Sequence, residues 1–156
     1  MSQNNYSSKS YSREYAFKFL YKLSLKEFAA EKNDLVTDSI LLDQTIAEFD
    51  ESYIVKDEEH SDNELSTSIQ NYGRTLISGC LTKENEIVEK LSPLIKKRSF
   101  ASIDTIERSI LLVAAYELMF TETPKKVVIN EFLNINDKFG QKETNSFLNG
   151  ILDKVQ

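Results

Sequence analysis

A chain of 156 residues is long enough for one domain with a real core, or for two small helical halves sharing one. Forty per cent apolar residues with only four Gly and two Pro leave too few turn-makers for an all-β fold, and the single Cys80 excludes an internal disulfide framework or a cysteine zinc cage. The net charge of −6 is uneven: residues 1–26 carry five bases against one acid, residues 27–71 carry 13 acids against two bases, and the remainder is near balance. Such a chain does not draw nucleic acid from afar, yet its basic end can hold it locally.

Met1–Ser10 is polar, with no apolar signal core, and reads as a flexible arm of a cytoplasmic protein. The periodicity predicts a first helix from about Tyr11 to Phe28, with Ala16, Phe19, Leu20 and Leu23 as its core stripe. Lys9 and Arg13 fall on its far flank, while Phe17, Tyr21 and Phe28 form another apolar strip. Thr37 or Asp38 caps a second helix bearing Ile40, Leu41, Ile46, Ala47 and Phe49. The acidic stretch Asp50–Asn63 reads as a solvated connector. A third helix from near Asn63 carries Leu65, Ile69, Tyr72, Leu76, Ile77 and Cys80. A fourth, about Lys83–Lys97, is kinked or broken by Pro93, and the basic run Lys96-Lys97-Arg98 complements its carboxyl end.

Ile103–Phe120 is apolar nearly all round, so its helix needs covering on several sides. Asp104, Glu107, Arg108 and Glu117 interrupt it too often for a membrane span. Thr123-Pro124 opens the next helix, whose stripe is Val128, Phe132, Ile135 and Phe139, and Gly140 is expected to end it in a left-handed conformation. The last helix is striped by Phe147, Leu148, Ile151, Leu152 and Val155. Gly150 inside it points to another backbone passing close. The architecture is all-α with about seven helices.

Catalytic signatures are missing. The four glycines are scattered singly and form no phosphate loop. His60, with Glu58, Glu59 and Asp62, lies in the acidic connector, where no rigid element would hold a metal, so no metal site is assigned. Cys80, on an apolar helical face, belongs to the core. Two stretches remain. The first helix interleaves bases with tyrosines, the combination that grips single-stranded nucleic acid by phosphate and by ring. The segment FGQKETNSFLNGILDK, 139–154, places Phe147 among polar residues and uses poor helix formers.

The order and spacing of ERSILLVAAYEL (107–118), Pro124, VVINE (127–131), FG (139–140) and FLNGILDK (147–154) resemble the NusB family of transcription antitermination factors. REYAFKFLY (13–21) and YGRTLISG (72–79) extend the resemblance over nearly the whole chain except Glu31–Glu64. It implies a single all-helical domain of two packed three-helix bundles, acting by binding and not as an enzyme, without cofactor. Its implied partners are boxA-type single-stranded RNA, a small-subunit ribosomal protein (NusE) and, through other Nus factors, RNA polymerase. No membrane is implied.

The resemblance puts Lys9 and Arg13 in a phosphate-holding arm and Tyr21, Tyr72, Arg74, Glu143 and Phe147 near the RNA path. It sets Glu107 against the ribosomal partner with Arg108 as helper. Tyr116 and Glu117, a phenol and a carboxylate at the end of a buried helix, need hydrogen-bond partners and read as structural. The chain departs from the family in having only Lys9 and Arg13, among Ser and Tyr, where several consecutive arginines are frequent, and Leu112 where Arg is frequent. Weak RNA binding alone and tighter binding with the partner are therefore expected. A protein-only module that self-associates into a homodimer is the competing reading. The accessory part of an RNA methyltransferase is a third.

Overall fold

The computed structural model describes residues 7–25, 32–54, 65–96 and 98–156, and every regular element among them is helical. Seven α-helices follow in order: α1 Ser8–Ser24, α2 Lys32–Thr37, α3 Ser39–Tyr53, α4 Thr67–Leu91, α5 Thr105–Phe120, α6 Lys125–Phe139 and α7 Asn145–Asp153. They belong to two compact units, Met1–Ser78 and Gly79–Gln156, and α4 contributes to each. The all-α class is as the sequence predicts. The expected arm is described only from Ser7 onward, and Phe28 and the Glu58–Asp62 cluster lie outside the described residues.

In the first unit α1 begins earlier than its apolar stripe does, because Ser7 and Ser10 form a capping box. Each hydroxyl accepts the other residue's backbone N–H at 3.2 Å. The core is aromatic. Tyr15 is fully buried, with ring centroids of Phe49 at 5.5 Å and Tyr53 at 5.3 Å, and Phe19 meets Phe49 edge-on at 5.2 Å. The Tyr15 hydroxyl donates to Asp50 Oδ1 at 2.5 Å, which satisfies the one polar atom of an otherwise apolar plug. Ser12 Oγ donates to the Ile69 carbonyl at 2.9 Å, tying α1 to the start of α4.

Asp38 caps α3, accepting the backbone N–H groups of Ile40 and Leu41 at 3.1 Å each. Two members of the predicted α3 stripe are corrected: Ile40 and Ala47 are exposed, on the same face as exposed Asp43. The buried face is Ile46, Phe49 and Tyr53, spaced by three and four. Tyr53 continues this phase into the stretch that charge alone assigned to a connector. The short helix α2, which buries Leu35, has no counterpart in the sequence reading.

The predicted third and fourth helices are one, which runs from the first unit into the second. Leu81-Thr82-Lys83-Glu84 holds no breaker, so α4 runs uninterrupted for 25 residues. It ends at Leu91, and Pro93 sits in a 3-10 turn, Ser92–Leu94. Helix α5 is buried as its composition requires: every residue from Ser109 to Ala115 is at most 7% exposed. It packs with α6 and α7, and Cys80 of α4 lies in this core, its Sγ donating to the Leu112 carbonyl at 3.6 Å. The start of α5 at Thr105 is later than predicted, because Phe100–Ser102 forms a 3-10 turn first.

Gly140 is also corrected. Its φ is −107°, not left-handed, and the reason for glycine is steric: a Cβ would collide with the carboxamide oxygen of buried Asn136. On α4, Gly79 lies against the Tyr116 ring and Gly73 against the Tyr15 ring, each too close for a Cβ. Gly73→Ala weighs two effects against each other. Helix propensity favours Ala by about 1 kcal/mol, whereas overpacking costs about 1–3 kcal/mol. Because Tyr15 is held by two rings and a hydrogen bond, overpacking is expected to win. Urea denaturation should show the variant less stable by about 1 kcal/mol.

Candidate nucleic-acid interface

The first unit carries four of the residues expected near RNA, together with one that is not available to it. Lys9, exposed on α1, sets its Nζ 4.9 Å from the ring centroid of half-buried Tyr72 on α4. A cation beside an aromatic face is the pairing that phosphate and base recognition uses. Tyr21, half-buried, lies beside Phe17 with centroids 6.3 Å apart. Arg74 is exposed and its guanidinium pairs with the exposed Asp43 carboxylate, so a phosphate reaching it would have to displace a carboxylate.

Arg13 departs from its expected role. It is only 3% exposed, one of a buried run from Ser12 to Phe17 on α1. That helix is covered on more than one side, and the cover reaches Arg13 on the flank where Lys9 stays exposed.

In the second unit Phe147, half-buried on α7, lies under the Arg98 guanidinium, 5.0 Å from ring centroid to Cζ. Glu143 is exposed in the 3-10 turn Lys142–Thr144 that leads into α7. That turn is fixed from α6: Asn136 Nδ2 lies 2.9 Å from the Gln141 carbonyl, 3.0 Å from Thr144 Oγ1 and 2.7 Å from Asn145 Oδ1. Arg98 was read only as a helix-dipole complement. The stacking on Phe147 is legible only once the turn after Pro93 is known.

The two residues expected to face the ribosomal partner are largely occupied at home. Arg108 donates from Nη1 to the Ala101 and Ile103 carbonyls, at 3.0 and 2.9 Å, closing the turn ahead of α5. Glu107 is 6% exposed. Its pKa is raised, chiefly by burial and secondarily by Asp104, against smaller opposing effects of a hydrogen bond from Thr144 and the charge of Arg98. Glu117, fully buried, accepts from Thr123 Oγ1 at 3.1 Å, and Tyr116 packs on Gly79; both are structural, as expected. Among the described residues no helix is long and apolar enough to cross a membrane.

Fold and surface chemistry together define an all-helical bundle protein whose surface includes cation–aromatic pairs. The chain belongs to the NusB family, whose profile matches residues 10–156. It is 40% identical over 105 residues to the transcription antitermination protein NusB of Shewanella amazonensis, covering 65% of this chain and 78% of that one. With the protein of the same name from Macrococcus caseolyticus it shares 36% over 80 residues, which is 51% of this chain and 62% of the other, so the chain spans under two thirds of that relative's length. The crystal structure of T. maritima NusB superposes with a TM-score of 0.70 at 25% identity, covering 94% of this chain and 89% of that one.

The raised pKa of Glu107 makes a stability prediction. A carboxyl that holds its proton more tightly when folded loses folding stability as pH rises through the carboxylate range. Glu107→Gln removes that loss while keeping a side chain of nearly the same size and shape. Thermal denaturation should give the variant the higher Tm at about pH 7, with the two proteins converging at about pH 3.5, below the ordinary carboxylate pKa.

Proposed function

We propose that this chain is a transcription antitermination factor that holds boxA-type single-stranded RNA together with the small-subunit ribosomal protein NusE. Through other Nus factors it joins RNA polymerase in the cytoplasm. It acts by binding, with no catalytic step and no cofactor. The observation that carries this reading is the Lys9–Tyr72 pair, cation against ring on two neighbouring helices, in a member of a family whose relatives are named for antitermination. Tyr21, Arg74, Phe147 and Glu143 are the further groups assigned to the RNA, and Glu107 with Arg108 shapes the surface offered to the ribosomal protein.

The structure sharpens the expected affinity. With Arg13 enclosed and Arg74 engaged by Asp43, two of the three cations assigned to the RNA are less ready to meet phosphates. Each phosphate contact on a single strand contributes about 0.7 to the slope of log K against log salt. Two or three contacts therefore give a slope of about −2 and modest affinity.

Fluorescence anisotropy with a labelled boxA oligoribonucleotide is expected to show weak binding by the chain alone and at least tenfold tighter binding, roughly 1.4 kcal/mol, once the ribosomal protein is added. Lys9→Glu should weaken both. Tight, steeply salt-dependent binding by the chain alone would contradict this account. RNA binding absent in both conditions, with a homodimer in sedimentation, would establish the self-associating module instead.

A further inference from the structure

Packing leaves two features of the surface unexplained. At Gly150 the close backbone that the sequence points to is absent, with nothing within 4 Å of where a Cβ would stand. The other feature is the outer face of α3, and its chemistry is specific. Ile40, Ala47 and Ile54 stand seven residues apart, so they fall on one line along the helix, opposite the buried face of Ile46, Phe49 and Tyr53. Ile40 is 69% exposed and Ile54 58% exposed, the two most exposed large apolar side chains among the described residues. A lone exposed aliphatic residue is ordinary, but a row at heptad spacing is the seam by which one helix takes another. At 1.5 Å per residue the row is about 21 Å long, enough to meet about four turns of a second helix.

The charge around the row decides which helix. Helix α3 holds four acids, Asp43, Glu48, Asp50 and Glu51, and no base. Asp43 and Glu51, both exposed, fall in the gaps of the row, and exposed Glu48 stands beside it. A second copy of α3 laid on this row would set acids against acids, which is destabilising. Residues 55–64 add five acids against one base, so the stretch that follows α3 has the wrong sign as well. At the basic end of the chain, Arg13 is enclosed and Lys18 is paired with Glu14. An aliphatic helix flanked by cations satisfies both the row and its rim.

We propose that the outer face of α3 docks an amphipathic helix of another protein, one with aliphatic residues at heptad spacing and Lys or Arg on either side of them. The two isoleucines supply the contact area. Glu48 and Glu51 supply the choice of partner, as flanking charges do where helices pair. None of these four side chains is among the groups assigned to RNA or to the ribosomal protein.

The test titrates the full chain with a fluorescent, end-capped peptide of three heptads, Leu at the two seam positions and Lys at the two flanking ones, and with the same peptide carrying Glu for Lys. The Lys peptide is expected to bind and the Glu peptide is not. Ile40→Gln and Ile54→Gln should each weaken the Lys peptide by about tenfold, the loss of one buried aliphatic side chain. Glu48→Lys combined with Glu51→Lys should transfer the preference to the Glu peptide. Val127→Gln, which removes an exposed aliphatic side chain of the second unit, should change nothing. Because the replaced isoleucines stand in solvent, the Tm of each variant should stay within about 2 °C of wild type.

Equal binding of the Lys peptide by wild type and both isoleucine variants would reduce the contact to charge alone and overturn the proposal. Equal binding of the two peptides, or binding of neither, overturns it as well. A dimer in sedimentation that Ile54→Gln dissolves would make a second copy the occupant and overturn it too.

Discussion

A helix with no side left for water is the constraint on which the second unit depends. From Ser109 to Ala115 α5 is buried at every residue, so α6, α7 and the later part of α4 have to enclose it. The enclosure carries polar groups at both ends. Glu117 is satisfied by the Thr123 hydroxyl in the link to α6, and Glu107, its pKa raised chiefly by burial, lies toward the other end. Burying a carboxyl is tolerable where such a partner exists, so Glu117 constrains how the chain turns into α6. Phe147 stands one turn beyond a link that Asn136 holds fixed.

The first unit is organised differently, around the ring of Tyr15. Phe49 and Tyr53 pack against it, Gly73 lies beneath it, and Asp50 takes its hydroxyl proton as hydrogen-bond acceptor. Burial and the Asp50 hydrogen bond raise the Tyr15 pKa, and burial raises that of Asp50, so the phenol stays protonated and serves as a donor throughout the physiological range. Alongside this plug run the basic side chains of α1. Lys18 lies 5.3 Å from the Tyr53 centroid and pairs with Glu14 at 3.4 Å, and Lys22 lies 5.9 Å from Phe49. In these two pairs the rings are buried in the core, so much of the interleaving of bases and rings covers the plug. In the Lys9–Tyr72 pair the ring itself is half-exposed beside an exposed cation.

Where periodicity was strong, the sequence was a good guide. Val128, Phe132 and Ile135 of α6, Leu148, Ile151 and Leu152 of α7, the core face of α1 and the burial of α5 from Ser109 to Ala115 are as read, since each rests on apolar residues at unbroken helical spacing; Phe139 and Phe147, also read into the stripes, are only half-buried. The errors have separate physical causes. Six residues of α2 are too few to establish a period, and charge around Asp50 masked the continuation of α3 to Tyr53. Pro93 was correctly a breaker but was expected inside a helix that in fact begins far upstream. At the candidate interface, residue type was legible and availability was not. Nothing in the spacing of Arg13 tells that it is enclosed, or of Arg74 that Asp43, 31 residues away, holds it.

The uninterrupted course of α4 has a consequence for how the chain can be divided. The contact boundary between Ser78 and Gly79 falls in mid-helix, not in a loop. Scission there would strand four carbonyls on one fragment and four amides on the other, with no caps to receive them. It would also part Gly73 from Gly79, the two notches by which this one rod accepts Tyr15 and Tyr116. Each unit borrows its wall from a helix that it only half owns, so evolution can exchange the surface groups of either but cannot shuffle them as independent modules.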